Sequence, residues 1–544
     1  MKRLAKLTFP ERSRGDWLVA ILVFCVSALH FSFFYRSTLL IGDEGIVLQG
    51  AQRILAGQVL YRDFFSFLTP GSYYWVALFF KLFGSSILVA RAVLLVEGAL
   101  LSTVTYLLAR RVCARWSALL ASLCLTLTGL PYWFLVSHNW DSSLWACLAL
   151  YCAVLSLEVP RYGTLFAVGW FSALTCLFEQ SKGAGLVVGL GLAFVILAIT
   201  DRETPPHWKP GVWGLLALGF GLPFLVTFLY FAINHSLFTM LDAWLWPLDN
   251  YSAINKTPYG FVGSREAIAA VYTGPWPSRV IAIIVTAPWF FMPSLPLIAI
   301  GVLLYVIPKK RQGRLDWKGR AYYVVISTVV IGLIASAVTT GRPDFTHLMY
   351  LSPVVFVTLS WIIDGHLLPS RFVRLAQPFL VFALLLSCLA FGTTLLLKPL
   401  NSSAGLHTRR GALIAGRSDE VIDYIQAKFS PGQTILVYPD QPLYYYLTGM
   451  FGPGRYEHLI PGFHTTDQFR DFASELEAGR TPMVFFEPSY RLGLSSGLAI
   501  SSETLAEPDP IAGYIGSNYR MCANLVSQDG RRFVAMIRKD LKCP

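Results

Sequence analysis

Long apolar stretches separated by short polar segments make up most of the first 400 residues. Stretches near 20 residues are long enough to cross the hydrocarbon core of a bilayer as α-helices, so the pattern predicts about eleven membrane-spanning helices. Prolines at positions 288, 293 and 296 predict a kinked or broken eighth span. The spans are expected at residues 17–35, 86–109, 116–135, 142–158, 163–178, 183–200, 212–233, 279–307, 321–340, 348–364 and 376–397.

The composition supports a polytopic membrane protein. Of the 544 residues, 55% are hydrophobic and only 14% are charged, and the mean hydropathy is +0.54. Soluble domains carry roughly 25% charged residues. The first apolar stretch has no small-residue cleavage pattern after it, so we interpret it as a span and not as a cleaved signal peptide.

The net charge of +12 does not indicate nucleic-acid binding, because the basic residues lie mainly in alternate short loops. Arg110 and Arg111 follow the second span, and a Lys-Lys-Arg run at 309–311 follows the eighth. Cytoplasmic loops of membrane proteins are enriched in Lys and Arg. The pattern therefore predicts a cytoplasmic N-terminus, and an odd number of spans places the C-terminal region outside.

The segment between the first two spans predicts two short helices at the membrane surface. Pro70 begins the second of them and Gly84 ends it. The first helix is amphipathic, and both helices suit an interfacial position. Its apolar face is predicted to hold Ile46, Val47, Ala51, Ile54 and Leu55, and its polar face Gln49, Gln52 and Arg53. A further interfacial helix is expected within residues 237–251.

From about residue 400 the composition changes, and short β-type runs alternate with helical patterns. Helices are predicted at 419–429, with Ser418 as N-cap, and at 466–479. Strands are predicted at 434–438, 483–486 and 533–537. We therefore divide the chain into a membrane domain, 1–399, and a small extracytoplasmic α/β domain, 400–544. Spacing alone leaves open whether Cys522 and Cys543 pair.

Two adjacent carboxylates, Asp43 and Glu44, lie just after the first span. A positioned carboxylate can take the proton from an acceptor hydroxyl, which is a weak nucleophile at neutral pH. Acidic residues at a helix start also stabilise the positive end of the helix dipole. The pattern alone therefore allows a general base or a helix cap.

Several short motifs surround this pair: AQRILAG at 51–57, Tyr61, PGSYYW at 70–75, Phe83-Gly84 and Arg91. With them, residues 43–91 resemble the first extracytoplasmic loop of the GT-C glycosyltransferases, especially the protein O-mannosyltransferase and aminoarabinose transferase group. The resemblance implies a polytopic α-helical GT-C fold with a C-terminal extracytoplasmic domain. It also implies a glycosyltransferase of the cell envelope, for example of lipopolysaccharide in a bacterial inner membrane.

Such enzymes take a sugar from a polyprenyl-phosphate-linked donor and transfer it to a glycan, lipid or protein acceptor, usually with inversion. The resemblance makes Asp43 the general base and Glu44 a group that orients the acceptor or assists a metal ion. The aminoarabinose branch typically carries a lysine where this chain has Thr69, and a proline where it has Gly71. Phosphate contacts and the identity of the sugar therefore do not transfer from that branch.

Other polar residues near the outer ends of the spans are candidates for binding. Candidates for the donor phosphate are Arg91, Lys182, Arg342 and His347. Candidates for substrate contact are Tyr61, Tyr73, His138 and Asp141. Each also has a structural interpretation: Lys182 can pair with Glu179, Arg342 with Asp344 and Arg91 with a local carboxylate, Asp141 can cap a helix, and the tyrosines can belong to the interfacial belt.

No cofactor is firmly implied, and a divalent metal ion stays open because one His and one Asp are fewer ligands than a metal site needs. Two other functions are alternatives for a membrane protein of this kind. A flippase for lipid-linked glycans should show paired halves and mid-membrane polar residues. A polymerase or ligase of the O-antigen type should have outer loops dominated by basic residues. Neither pattern is prominent in this chain.

Overall fold

The computed structural model describes residues 14–37, 42–158, 162–200, 210–251, 256–262, 269, 273–306, 317–364, 370–460, 464–488 and 509–544. Every predicted span coincides with a helix. These helices are α1 (Arg14–Ser32), α4 (Ile87–Val112), α5 (Arg115–Tyr132), α6 (His138–Glu158), α7 (Tyr162–Phe178), α8 (Gln180–Thr200), α9 (Pro210–Ile233), α11 (Trp276–Val306), α12 (Trp317–Thr339), α14 (Ser352–Ile363) and α15 (Ser370–Asn401).

Within the described part of the chain, seven helices are long and apolar enough to cross a membrane, or eight when the bent helix α11 counts as one span. α11 bends by 50° at a break between Ser294 and Leu297, where the prolines predicted a kink. α7 and α14 are apolar but shorter. The polytopic helical architecture is confirmed, whereas the number of eleven spans stays a prediction.

The loops fall at two ends of the helical bundle. At one end the buried carboxylate of Asp16 accepts from Arg110 at 3.1 Å and from Arg115 at 3.0 Å. At the same end Asp364 accepts from the backbone of Ala114 at 2.7 Å and from Ser117 at 2.6 Å. These residues belong to segments that the charge pattern assigns to one side. Which side is cytoplasmic stays a prediction.

The predicted helices between the first two spans are present at the other end. They are α2 (Gly42–Leu55) and α3 (Gly71–Phe83), and Pro70 and Gly84 flank α3 as expected. A short helix, α10 (Leu237–Trp246), continues into a π-helical turn, Pro247–Tyr251. A further one-turn helix, α13 (Phe345–Met349), precedes α14.

The predicted polar face of α2 is wrong in one respect: Gln49 and Arg53 are buried. The C-terminal region covers them. Gln49 donates to the carbonyl of Met450 at 3.2 Å, and Arg53 forms a 2.6 Å ion pair with Glu457. Polar side chains can be buried at such an interface because they form hydrogen bonds there. Their partners lie some 400 residues away in the sequence, so the hydrophobic pattern of one helix cannot predict this burial.

The C-terminal region has mixed α/β structure, as predicted. The elements are β1 (Ala404–Thr408), β2 (Gly411–Ala415), α16 (Glu420–Lys428), β3 (Leu436–Tyr438), α17 (Pro442–Thr448), α18 (Thr466–Gly479), β4 (Met483–Phe486), α19 (Pro510–Asn518), β5 (Tyr519–Val526) and β6 (Arg532–Arg538). Strands β3, β4, β6 and β5 form a four-stranded sheet in that order, with β3 and β4 parallel and the other pairs antiparallel. The β1–β2 hairpin, β5, α17 and α19 were not predicted.

The predicted starts of the two helices in this region agree with the structure, except for one N-cap residue. Helix α18 begins at Thr466, as predicted, and Thr465 caps it in a reciprocal capping box with Gln468. Asp419, and not Ser418, caps α16, because its carboxylate accepts two backbone N–H groups of the first turn. The disulfide between Cys522 and Cys543 is formed. The domain division near residue 399 stays a prediction.

Helix α2 is held tightly between the membrane bundle and α17. A Cβ atom added at Gly45 would lie 2.0 Å from the backbone nitrogen of Leu443. No side chain fits at that distance without moving one of the two helices. Gly45 therefore permits the close approach of α2 and α17.

We expect Gly45→Ala to separate α2 from α17 and to destabilise the protein by about 1–3 kcal/mol or more, the usual cost of overpacking. The measurement is the apparent Tm of the detergent-purified protein. Gly191→Ala on α8 is the matched control, because a Cβ there meets no atom within 4 Å. Equal Tm values for the two variants would contradict the close packing.

Candidate active site

Asp43 lies in the first turn of α2. We call its surroundings, where groups from several other elements approach its carboxylate, the recess. The side chain is exposed to solvent, and yet burial among the surrounding protein raises its pKa. Both statements hold for a group in a solvent-filled concavity with protein on most sides. A carboxylate in such a place is accessible to a ligand and is more basic than an exposed aspartate.

Cationic groups face Asp43 from two other elements. Arg342 precedes α13, His347 lies within it, and His138 begins α6. All three act to lower the pKa of Asp43 against the effect of burial. His138 is half-buried and its Nε2 lies 3.2 Å from the amide of Asn139. The recess thus combines one accessible carboxylate with several groups that can carry positive charge.

Asp344 holds two of these groups in place. Its carboxylate accepts from Arg342 at 2.9 Å and from His347 Nδ1 at 2.9 Å, and it also caps α13. Burial would raise the pKa of Asp344, but His347 and then Arg342 outweigh it and lower that pKa. Asp344 therefore stays ionised and orients the side chains of Arg342 and His347. The predicted Arg342–Asp344 pair is present.

The C-terminal region contributes two residues that sequence reasoning missed. After burial, the carboxylate of Asp440 is the next cause that raises the pKa of Asp43. Burial lowers the pKa of His458 to about 4, and the charge of Asp43 opposes that shift. Asp440 follows strand β3, a common position for functional residues, but nothing in the sequence pairs it with Asp43.

Glu44, next to Asp43, has a different environment. Its carboxylate and the guanidinium of Arg91 form two hydrogen bonds, at 2.9 and 2.7 Å, and both side chains are completely buried. Arg91 also donates to the carbonyl of Ser37, and Glu44 accepts from the backbone of Val136 at 3.1 Å. This geometry does not fit the predicted roles of Glu44 and Arg91 towards substrate or phosphate, because neither side chain has exposed surface.

Lys182 is also engaged within the bundle. Its ammonium pairs with Glu179 at 2.8 Å and donates to the carbonyl of Asn139 and the hydroxyl of Ser142, both at 2.8 Å. Only 4% of the side chain is exposed. The arrangement matches the structural interpretation of Lys182 and leaves it no surface for a carrier phosphate.

Tyr61 and Tyr73, of which Tyr73 belongs to α3, are buried in one hydrophobic cluster. The Tyr61 hydroxyl donates to the carbonyl of Leu68 at 2.6 Å and accepts from Trp244 at 2.9 Å. The hydroxyl of Tyr73 lies 2.8 Å from that of Ser66. Both tyrosines pack within this cluster, and neither has an exposed ring face on which a sugar could stack.

Asp141 lies one turn after His138 in α6 but is buried away from the recess. Its carboxylate accepts from Ser72 at 2.5 Å and is hydrogen-bonded to Glu97. Trp75 donates to Glu97 at 2.5 Å, so the acid pair fastens α3 to the membrane helices. Within the described ranges, no group of three or more His, Cys, Asp or Glu side chains could hold a metal ion.

The candidates thus divide into two sets. Around the recess the structure brings together Asp43, His138, Arg342 and His347. In structural contacts it places Glu44, Arg91, Lys182, Asp141, Tyr61 and Tyr73.

Comparisons with known proteins agree with the resemblance of residues 43–91 to the GT-C glycosyltransferases. A family model described as "Dolichyl-phosphate-mannose-protein mannosyltransferase" matches residues 68–231. The solved structure of ArnT from Cupriavidus metallidurans bound to undecaprenyl phosphate is similar with a TM-score of 0.53 and 14% identity, covering 97% of this chain and 98% of that one.

The apo structure of the same ArnT gives a TM-score of 0.51 and 15% identity, with 98% of this chain and 100% of that chain covered. At this identity the likeness establishes the fold. No curated protein sequence matches the chain. The resemblance to the GT-C glycosyltransferases is confirmed, and so is a polytopic helical fold with a small C-terminal α/β region.

We expect Glu44→Gln to destabilise the protein by about 3–5 kcal/mol, because it leaves the charge of Arg91 buried without its carboxylate. The apparent Tm and the yield of folded protein measure this. Asp467→Asn is the control, since it breaks an ion pair with Arg470 on the exposed surface of α18. A Glu44→Gln protein as stable as the control would show that the pair is dispensable.

Proposed function

We propose that this membrane protein transfers a sugar from a polyprenyl-phosphate-linked donor to an acceptor on the extracytoplasmic face, with inversion at the anomeric carbon. The observation that carries the proposal is the solvent-exposed carboxylate of Asp43, whose pKa is raised and which is faced by Arg342 and by histidines. The fold supports the class of reaction, since the similar ArnT was solved with undecaprenyl phosphate bound.

In this mechanism Asp43 is the general base. The acceptor hydroxyl gives its proton to the Asp43 carboxylate while its oxygen attacks the anomeric carbon. The bond from that carbon to the phosphate oxygen breaks, and polyprenyl phosphate leaves with the electron pair. Solvent in the recess then takes the proton from Asp43. No covalent enzyme intermediate is required.

Arg342 and His347 are proposed to bind the donor phosphate. A guanidinium matches the geometry of phosphate oxygens and keeps its charge. Positive charge held in place by Asp344 stabilises the negative charge that grows on the leaving phosphate, without reorganisation during the reaction. His138, the first residue of α6, is proposed to contact the substrate.

The proposed orientation follows from the charge pattern. The end of the bundle that carries the Asp16 cluster is assigned to the cytoplasm, and the recess and the C-terminal region to the outside. Nucleotide sugars are scarce there, which favours a lipid-linked donor. A bacterial inner membrane is the proposed location. The acceptor can be a glycan, a lipid or a protein.

Asp43→Asn is expected to lower transfer about 10²–10⁴-fold or more, because it removes the proton acceptor. The assay follows radiolabelled sugar from undecaprenyl-phosphate donors into envelope acceptors. In the wild-type protein, activity should be lost as the pH falls through a pKa above that of an ordinary aspartate. The control is Asp423→Asn, an exposed aspartate of α16. Full activity of Asp43→Asn would exclude Asp43 as the base.

We expect Arg342→Gln to raise KM for the donor about tenfold or more, because a charged hydrogen bond to phosphate is lost. Binding of undecaprenyl phosphate, measured by native mass spectrometry, should weaken in parallel. Arg470→Gln is the matched control, on the exposed surface of α18. Unchanged donor affinity in Arg342→Gln would remove this residue from the phosphate site.

A further inference from the structure

Asp440 lies in a short segment that joins strand β3 to helix α17 and is fixed on both sides. The backbone of Leu459 donates to the carbonyl of Pro439 at 3.0 Å, and Tyr444 donates to that of Gln441 at 3.1 Å. Helix α17 begins two residues later and packs closely on α2. The position of Asp440 is therefore set by the contact between the C-terminal region and α2.

This segment brings the Asp440 carboxylate to the start of α2. A Cβ atom added at Gly42 would lie 2.9 Å from Asp440 Oδ1 and 3.2 Å from Oδ2. Gly42 immediately precedes Asp43 in the chain. The two carboxylates are thus close neighbours, one carried by α2 and the other by the C-terminal region.

The electrostatic environment of Asp43 includes groups from each element packed around it. Asp440 raises the pKa of Asp43, while Arg342, His138 and His347 lower it. Tyr350 and His458 also interact with the Asp43 charge. Asp440 is thus the carboxylate that opposes ionisation of Asp43, against several groups that favour it.

Resting on the function proposed above, we propose that Asp440 is a positioning residue of the transfer reaction, supplied by the C-terminal region to favour movement of the acceptor proton onto Asp43. The C-terminal region is then part of the active site. Among the groups with the largest electrostatic effect on Asp43, Asp440 is the carboxylate.

The physical reason is differential stabilisation. Two nearby carboxylates repel each other while both are ionised. When Asp43 takes the acceptor proton, it loses its charge and the repulsion ends. Because this relief belongs to the transition state and not to the ground state, it accelerates the reaction. It also makes Asp43 the stronger base.

A structural role for the same carboxylate makes a different prediction. Negative charge near the first turn of α2 stabilises the positive end of the helix dipole. If Asp440 served only this purpose, its replacement would lower stability and leave the ionisation of Asp43 unchanged or shifted upwards. The pH dependence of the reaction separates the two accounts.

The test is the pH profile of kcat/KM with an undecaprenyl-phosphate-linked sugar, for wild type, Asp440→Asn and Asp423→Asn. Asp440→Asn should move the acidic limb to lower pH by roughly one unit, because the repulsion that keeps Asp43 protonated is gone. The rate above the limb should fall. Asp423→Asn should follow the wild-type profile. Gly42→Ala, whose methyl group would press on Asp440, should shift the limb in the same direction.

An unmoved limb in folded Asp440→Asn protein overturns the proposal, and a lower Tm in that case assigns Asp440 to the helix dipole alone. If Asp440→Asn does not fold, the limb of Gly42→Ala decides in the same way. Failure of the underlying function looks different: wild-type protein without transfer, or fully active Asp43→Asn, ends both proposals whatever Asp440→Asn does.

Discussion

The buried ion pair between Glu44 and Arg91 is the constraint on which the site depends. Both charges are withdrawn completely from solvent, which is costly unless the geometry is good and the remaining polar atoms are satisfied. Two hydrogen bonds within the pair, and contacts to Ser37 and Val136, meet that condition. Consecutive side chains on a helix point about 100° apart. Holding Glu44 inward therefore turns Asp43 towards the recess.

The C-terminal region fixes the rest of α2. Arg53 and Gln49 are held by Glu457 and by the carbonyl of Met450, and Gly45 permits the contact with α17. The recess consequently has one wall from the membrane domain and one from the C-terminal region. Polar residues on both faces of α2 are therefore satisfied. Glu44 has its partner in the membrane helices, and Gln49 and Arg53 have theirs in the C-terminal region.

Local features of this fold were predictable from the sequence, and long-range ones were not. Span positions follow from hydrophobic runs, the ends of α3 from Pro70 and Gly84, and the helix at 466–479 from its local pattern. The roles of Arg91 and Asp440 depend on which distant residue lies opposite. Arg91 meets Glu44 across 47 residues, and Asp440 reaches α2 only because two helices pack at a glycine.

The exposure of each charge distinguishes structural from functional ones here. Arg91 pairs with Glu44 and Lys182 with Glu179, and both cations are almost entirely buried. Their charges are therefore compensated within the bundle. Arg342 and His347 both contact the carboxylate of Asp344 and keep 18% and 25% of their side chains exposed. Their polar groups are therefore accessible from the recess, unlike those of Arg91 and Lys182. A phosphate is a natural ligand for an accessible guanidinium, and in the proposed reaction its departure is matched by transfer of the acceptor proton to Asp43.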